Sequence, residues 1–326
     1  MKILVTGGCG FIGSNFIHHV IGNYPEVAVV NVDLLTYAGN PANVAPVAAA
    51  HPDRYAFHRA DIADREAIFS ILNPEAGFDA VVHFAAESHV DRSIEASDAF
   101  VRTNVLGTNV LLDAARAAKV GRFLQVGTDE VYGTLGDEGA FTEETPLDPS
   151  SPYSASKAAA DMLALANFTT HKLDVVVTRC SNNYGPYQFP EKLVPLMLLN
   201  ALHDRPLPVY GQGMNVRDWL YVEDHCTAIW AALTKGQAGR VYNIGGADGE
   251  RPNIEVVKSI LAHLGKPESL ITYVEDRKGH DWRYAIDSSR ARRELGWAPR
   301  VAPEEGFRRT IDWYVENEDW WKPLYS

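Results

Sequence analysis

The chain's 326 residues are enough for one large buried core or two modest ones. A formal charge of −12, with 46% hydrophobic and 22% charged residues, excludes intrinsic disorder and a broad nucleic-acid surface, because phosphate backbones are held mainly by clustered Lys and Arg. Cys9, Cys180 and Cys226 have neither zinc-site spacing nor an even disulfide framework, and no apolar run reaches membrane-spanning length, so a reducing, cytoplasmic setting is expected.

The chain starts directly on a strand, without the charged, apolar and small-residue stretches of a secretory leader. Short β-branched runs at 2–6, 28–33, 55–59, 80–84, 122–127 and 175–179 alternate with helix-like segments. That alternation predicts parallel strands joined by crossover helices, and several runs are almost wholly apolar, as strands covered on both faces must be. The fold class is therefore α/β, a doubly wound parallel Rossmann sheet over 1–180. After Ser181 the rhythm loosens into Pro- and aromatic-rich segments, which predicts a smaller substrate-binding domain over 181–326. The boundary is interleaved, since 241–245 reads as one more strand returning to the main sheet.

The first strand runs into Gly7-Gly-Cys-Gly-Phe11-Ile12-Gly13, followed by a helix-like stretch at 14–21. Gly7, Gly10 and Gly13 let the backbone turn tightly and approach a pyrophosphate, whose charge the free amides of the helix N-terminus receive. A glycine pattern alone is weak, but here it sits between strand and helix. Asp33 ends the second strand about 20 residues on, where a carboxylate accepts hydrogen bonds from an adenosine ribose and repels a 2′-phosphate. The expected cofactor is NAD. Asp61 and Ile62 are placed to flank the adenine, and Phe84, Ala85 and Ala86 put small residues where a cofactor passes closely.

Ser151-Pro-Tyr-Ser-Ala-Ser-Lys157 opens a helix, apolar-faced over roughly 154–168, on which Tyr153 and Lys157 stand four apart and so share one face. A Lys ammonium and a cationic nicotinamide beside the phenol would lower its pKa and let it act as a base on a substrate hydroxyl. Thr128, Asp129 and Glu130 follow the fifth strand, at the sheet edge where open α/β proteins bind ligands. Adjacent carboxylates in an extended strand point to opposite faces, so both serve one substrate only if the chain bends there.

These residues carry a resemblance. Thr6-Gly-Gly-Cys-Gly-Phe-Ile-Gly-Ser14, Val32-Asp-Leu-Leu-Thr-Tyr-Ala-Gly-Asn40, Ala85-Ala-Glu-Ser-His-Val-Asp-Arg-Ser93, Thr128-Asp-Glu-Val-Tyr-Gly133 and Tyr153-Ser-Ala-Ser-Lys157 continue into Arg179-Cys-Ser-Asn-Asn-Tyr-Gly-Pro-Tyr187, Glu191-Lys192, Arg217-Asp-Trp-Leu-Tyr-Val-Glu-Asp-His225 and Gly279-His-Asp281. Over nearly its whole length the chain resembles the dTDP-glucose 4,6-dehydratases, which are extended short-chain dehydrogenase/reductases. The glycine loop and Tyr-x-x-x-Lys mark only the superfamily, whereas the Thr-Asp-Glu and Glu-Ser-His-Val-Asp-Arg-Ser runs point to the dehydratase. Departures are Cys9 where Ala is commoner, Leu34 where Lys is frequent, Lys278 where Pro is expected, and a short segment between Gly133 and Ser151.

The resemblance implies a hydro-lyase that converts dTDP-glucose to a 4-keto-6-deoxy sugar. Tyr153 takes the 4-hydroxyl proton as hydride leaves C4 for NAD. Ionised Glu130 then removes the C5 proton while protonated Asp129 donates to the departing C6 hydroxyl, without a metal, and the hydride returns to C6. The two carboxyl pKa values must be pushed apart for this. Thr128 would bond the sugar near O4, and Lys157 would hold the ribose and Tyr153. By the same resemblance Leu34, Leu35, Thr36, Ser88, Thr103 and Asn183 join the cofactor contacts, with Ser88 also near the sugar. Asn182, Glu191, Lys192, Leu207, Pro208, Val209, Arg217, Asn253, Arg277 and His280 would surround the base and diphosphate, Arg217 offering the guanidinium fork that suits phosphate. Apolar faces on helices over 96–118 and 154–168 imply a homodimer. A 4-epimerase or a dehydratase of another nucleotide sugar is the runner-up, with a non-catalytic NAD-binding sensor behind it.

Overall fold

The computed structural model describes residues 1–246, 249–276 and 280–325. Twelve strands occur among them: β1 Lys2–Thr6, β2 Ala28–Asp33, β3 Tyr55–Arg59, β4 Ala80–His83, β5 Arg122–Thr128, β6 Val175–Cys180, β7 Asn182–Tyr184, β8 Leu207–Tyr210, β9 Val216–Tyr221, β10 Val241–Ile244, β11 Glu250–Pro252 and β12 Ile271–Val274. Seven of these form one parallel sheet in the order β10-β6-β5-β4-β1-β2-β3. The order reverses between β1 and β4, opening the crevice in which doubly wound sheets take their ligands. The strand expected near 241–245 does return to this sheet, with Val241 to Ile244 paired in parallel with Val177 to Cys180.

Alternation along each strand feeds two cores, because successive side chains leave the sheet on opposite faces. On β1, Ile3 and Val5 enter one core and Leu4 the other; on β5, Leu124 and Val126 oppose Phe123 in the same way. The first core is covered by the helices Phe11–Asn23 and Val222–Lys235 and the second by Thr108–Ala117, whose Val110, Leu111 and Leu112 are buried. A third core joins Tyr184, Trp219, Tyr221, Phe307 and Tyr314 to the helices Leu193–Leu202 and Asn253–Leu264. Around it lie two small sheets, β11-β9-β7 and β12-β8.

The helix carrying Tyr153 and Lys157 runs Pro152–His171, slightly beyond the predicted span. Ser151 and Ser154 form a reciprocal capping box, and Pro152 at the first turn is pre-set for helical geometry. The single helix predicted over 96–118 is instead broken: Asp98–Phe100 leads into a π-helical stretch Val101–Gly107 before the α-helix resumes at Thr108. Close packing accompanies the break, since a Cβ on Gly107 would lie 2.6 Å from Ile62. Such single-turn widenings favour functional sites, and here Asn104 donates to the Glu87 carbonyl and to Ser156 Oγ, between Tyr153 and Lys157.

Leu124 lies fully buried at the middle of the strand that delivers the Thr-Asp-Glu run. Leu124→Ala is expected to cost about 2–5 kcal/mol, measured as a fall in the urea midpoint at unchanged m-value.

Candidate active site

The carboxyl ends of the parallel strands open on a cavity of about 720 Å³. Gly7, Gly10, Phe11, Ile12 and Gly13 line one end of it. Gly7 has φ +72°, and a Cβ there would fall 2.7 Å from the Ala85 backbone; at Gly13 it would fall 2.3 Å from the Gly7 carbonyl. No side chain caps the helix that starts at Phe11, so its first amides and dipole face the cavity, an arrangement that fits a pyrophosphate.

Asp33 ends β2 with Oδ1 accepting from the Leu35 amide at 2.8 Å and Oδ2 from the Cys9 amide at 2.9 Å. Burial raises its carboxyl and these two hydrogen bonds oppose the rise. Leu34, Thr36, Asp61, Ile62, Phe84, Ala85, Ala86, Ser88, Thr103 and Asn183 also line the cavity. Leu35 does not; it sits at φ 58° and contributes through its amide to Asp33. These residues fit a dinucleotide with unesterified ribose hydroxyls at Asp33.

At the other side of the crevice β5 ends on Thr128, and the chain turns at once into a short 3₁₀ helix, Asp129–Tyr132. This is the bend that two neighbouring carboxylates need in order to face one cavity, and Thr128, Asp129 and Glu130 all line it. The Thr128 hydroxyl caps the turn by accepting from the Glu130 amide at 3.3 Å. Asp129 is buried, and its Oδ2 has no hydrogen-bond partner among the described residues. Burial first, then the charges of Glu130 and Asp218, push its carboxyl well above the usual carboxylate range, against the pull of Arg217 and Thr128.

Tyr153 and Lys157 reach the same cavity from their shared helix face. The expected lowering of the phenol by Lys157 is not what the protein alone displays. Burial and the Glu130 charge push Tyr153 up, while the Lys157 ammonium donates to the Val126 carbonyl at 2.7 Å and is itself lowered by burial.

Farther out, Asn182, Glu191, Lys192, Pro208, Val209, Arg217, Asn253 and His280 line the cavity. Leu207 does not; at the start of β8 it is fully buried in the third core, while Val209, two residues on, belongs to that core and also lines the cavity. Arg277, like Lys278 and Gly279, lies outside the described residues. Arg217 does not spend its guanidinium on a neighbouring carboxylate: Nη1 donates to the Val216 carbonyl at 2.8 Å and Nη2 to the Asp281 carbonyl at 2.9 Å, with the group 4.5 Å from the Tyr284 ring centroid. Lys192 donates to the Ser88 carbonyl at 2.7 Å, and Glu191 accepts from Tyr37 Oη at 3.0 Å.

Sequence reasoning missed Asp218, a buried carboxyl raised to about 8 by burial and the Glu250 charge, which in turn raises Asp129. It also missed Tyr284, which lines the cavity and donates to Asp281. Asp218 lies in the Arg217-to-His225 run, but nothing local says that β9 will carry it beneath a turn ninety residues earlier. Tyr37, four residues past the end of β2, does not line the cavity itself and bears on it through its hydrogen bond to Glu191.

A glycine-lined helix start, an acid ending β2, a Tyr-x-x-x-Lys helix and a carboxylate turn on one cavity define an extended short-chain dehydrogenase/reductase. Comparison with known proteins narrows this. The family described as GDP-mannose 4,6 dehydratase matches residues 4–310. A dTDP-glucose 4,6-dehydratase of Streptomyces niveus is 51% identical, over 100% of this chain and 96% of that protein; one of Neisseria meningitidis serogroup B is 52% identical, also over 100% and 96%. Among solved structures, the dTDP-glucose 4,6-dehydratase DesIV of Streptomyces venezuelae, determined with NAD bound, superposes with a TM-score of 0.95 at 51% identity, covering 99% of this chain and 100% of that one. A UDP-glucose 4-epimerase of Thermotoga maritima superposes at 0.89 with 29% identity, over 98% and 100%. The chain belongs to the dTDP-glucose 4,6-dehydratase family.

The raised Asp129 carboxyl makes a stability prediction. A group lifted in the fold above its ordinary value of 3.8 contributes stability that is fully present below that value and is lost as pH rises through the folded one. Asp129→Asn keeps the neutral shape at every pH. It is expected to match the wild type in acid and exceed its urea midpoint at neutral and mildly alkaline pH; equal midpoints across the range would contradict a raised carboxyl.

Proposed function

We propose that the protein is an NAD-dependent dTDP-glucose 4,6-dehydratase, a hydro-lyase forming dTDP-4-keto-6-deoxyglucose. One observation carries the reading: a buried Asp129, its carboxyl pushed well above the usual range by burial and by the Glu130 and Asp218 charges, lies beside Glu130 on a turn at the cavity edge. An enzyme that only oxidises and re-reduces C4 has no use for such a pair, whereas elimination of water across C5 and C6 needs an acid and a base together.

Gly7, Gly10, Gly13 and the helix amides after them hold the pyrophosphate, and Asp33 the adenosine ribose. When bound, NAD supplies hydride acceptance from sugar C4 and its return to C6. Tyr153, as the phenolate, removes the proton of the 4-hydroxyl, and the Lys157 ammonium one helical turn on favours that anionic form. The resulting 4-ketone acidifies the C5 hydrogen, which Glu130 removes while Asp129 gives its proton to the departing C6 oxygen, and a proton goes back to C5 as hydride is returned at C6. Thr128 fixes the turn and offers its hydroxyl near O4. Arg217 and Lys192 face the diphosphate.

Residues 1–180 with β10 form the dinucleotide-binding part and 181–326 mainly the nucleotide-sugar part; the third core, drawn wholly from residues after 183, supports the second part, and the boundary is interleaved because the first core also takes in the Val222–Lys235 helix and Ala291, Leu295 and Trp297. Three buried, unpaired thiols suit a reducing cytoplasm. No helix among the described residues is long and apolar enough to cross a membrane.

Incubation with dTDP-glucose is expected to give a product lighter by one water, and UDP-glucose to react more slowly; unchanged mass would indicate epimerisation. Asp129→Asn and Glu130→Gln are each expected to lower kcat by about 10²-fold or more. Near-normal dehydration in both would overturn the acid and base assignments.

A homodimer is supported by the exposed Ile94, Val101, Leu106 and Met162, on the 90–95, 101–107 and 152–171 segments that pack against one another. Such an apolar strip suits a partner. Sedimentation is expected to give a dimer that Met162→Glu shifts toward monomer; a wild type found only as monomer removes this assignment.

A further inference from the structure

Beneath the site lies a buried charge network that the mechanism above does not use. Tyr153, Lys157 and Asp161 stand at successive four-residue steps on one helix face, and Asp161 is fully buried. Its Oδ2 accepts from Arg179 Nε at 2.9 Å, with the two side chains 0% and 4% exposed. Arg179 Nη1 donates to Tyr132 Oη at 2.9 Å, and Tyr132 donates onward to Asn243 Oδ1 at 2.8 Å. Asp161 Oδ1 has no hydrogen-bond partner among the described residues.

Two features tie this pair to the reacting groups. A Cβ on Gly127 would lie 3.0 Å from both Asp161 carboxylate oxygens, so the carboxylate is pressed against β5 immediately before Thr128, beside the Val126 carbonyl that receives Lys157. Tyr132 is the last residue of the turn that begins with Asp129 and Glu130. Arg179, paired in register with Gly127, thus joins the helix face of Lys157 to the far end of the carboxylate turn.

We propose that Asp161 is a positioning residue: it supplies the buried negative charge that keeps Lys157 an ammonium, and through Arg179 and Tyr132 it pins the turn that presents Asp129 and Glu130. A lysine taken wholly out of water tends to lose its proton unless an anion is near. The Asp161 charge raises Lys157 against its desolvation, and Arg179 with Lys157 opposes the rise of Asp161. The other groups around Lys157 are neutral or share the turn. His83 on β4, bonded to Thr6 and Thr108, is lowered to about 3 by burial, and burial pushes the Cys180 thiol on β6 up. Asn104 and Thr108 come from the 101–117 helical run, and Asp129, Glu130 and Tyr132 from the turn. Asp161 is therefore the counter-ion on which the ammonium depends.

The inference rests on the dehydratase reading for its catalytic meaning, but its main test does not require turnover. In holoprotein grown with lysine labelled at the ε-carbon, the Lys157 resonance, assigned by its loss in Lys157→Met, reports the ammonium's titration. Asp161→Asn is expected to move that midpoint down by about one pH unit or more and to bring the alkaline limb of kcat down with it, with KM for dTDP-glucose unchanged. If Asp161→Asn does not fold, Asp161→Asn/Arg179→Met removes both charges together and the same downward movement is expected. An unmoved Lys157 midpoint in the folded variant overturns the counter-ion role.

Tyr132→Phe tests the other half. It keeps the ion pair and cuts its link to the turn, so single-turnover formation of reduced nicotinamide should proceed normally while loss of the C5 hydrogen slows at least tenfold. Wild-type loss of that hydrogen in Tyr132→Phe overturns the pinning role. Were the wild type itself inert toward dTDP-glucose, the function reading would fall while the Lys157 titration still decided the counter-ion role.

Discussion

The turn at the end of β5 is the constraint around which the site is built. Seven parallel strands finish along one edge, and at the fifth the chain folds into a single 3₁₀ turn capped by Thr128. Without that turn the alternation of an extended strand would send Asp129 and Glu130 to opposite sides of the sheet. With it, one carboxyl is sealed from water beside another. A carboxyl so placed sheds charge by keeping its proton, and the fold thereby makes two like residues chemically unlike.

The acidic surface and the acidic interior are separate matters. A net charge of −12 would repel a sugar diphosphate at long range, yet the cavity carries Arg217 and Lys192 where the phosphates would lie. Arg217 lies over the Tyr284 ring with three backbone carbonyls, those of Val216, Asp281 and Trp282, as partners. Its orientation is set before any ligand arrives, and preorganisation of this kind reduces the entropy lost on binding.

Most of the sheet was legible because parallel strands covered on both faces are nearly continuous apolar runs, and because glycines between a strand and a helix have few other uses. The Tyr153–Lys157 face followed from helical spacing alone. Three things were not legible, each for a physical reason. Leu207 was assigned to the ligand from its neighbours, but it is sealed in the third core, and only Pro208 and Val209 of that strand start reach the cavity. The widened turn at Val101–Gly107 coincides with Ile62 packing on Gly107, a contact between segments some forty residues apart. Asp218 and Asp161 acquire meaning only when β9 and the Pro152–His171 helix bring them beneath β5, and no window of sequence contains both ends of those contacts.

β10 has a consequence for how the chain comes to be folded. The edge strand of the principal sheet is drawn from residues 241–244, after the segments that build much of the third core. During synthesis β6 therefore waits with one side unpaired while more than sixty further residues leave the ribosome. An apolar strand exposed for that interval is a template for wrong partners. The helix Val222–Lys235, which emerges first and packs over Val176, shields one face of it, leaving β10 to close the hydrogen-bonding rim.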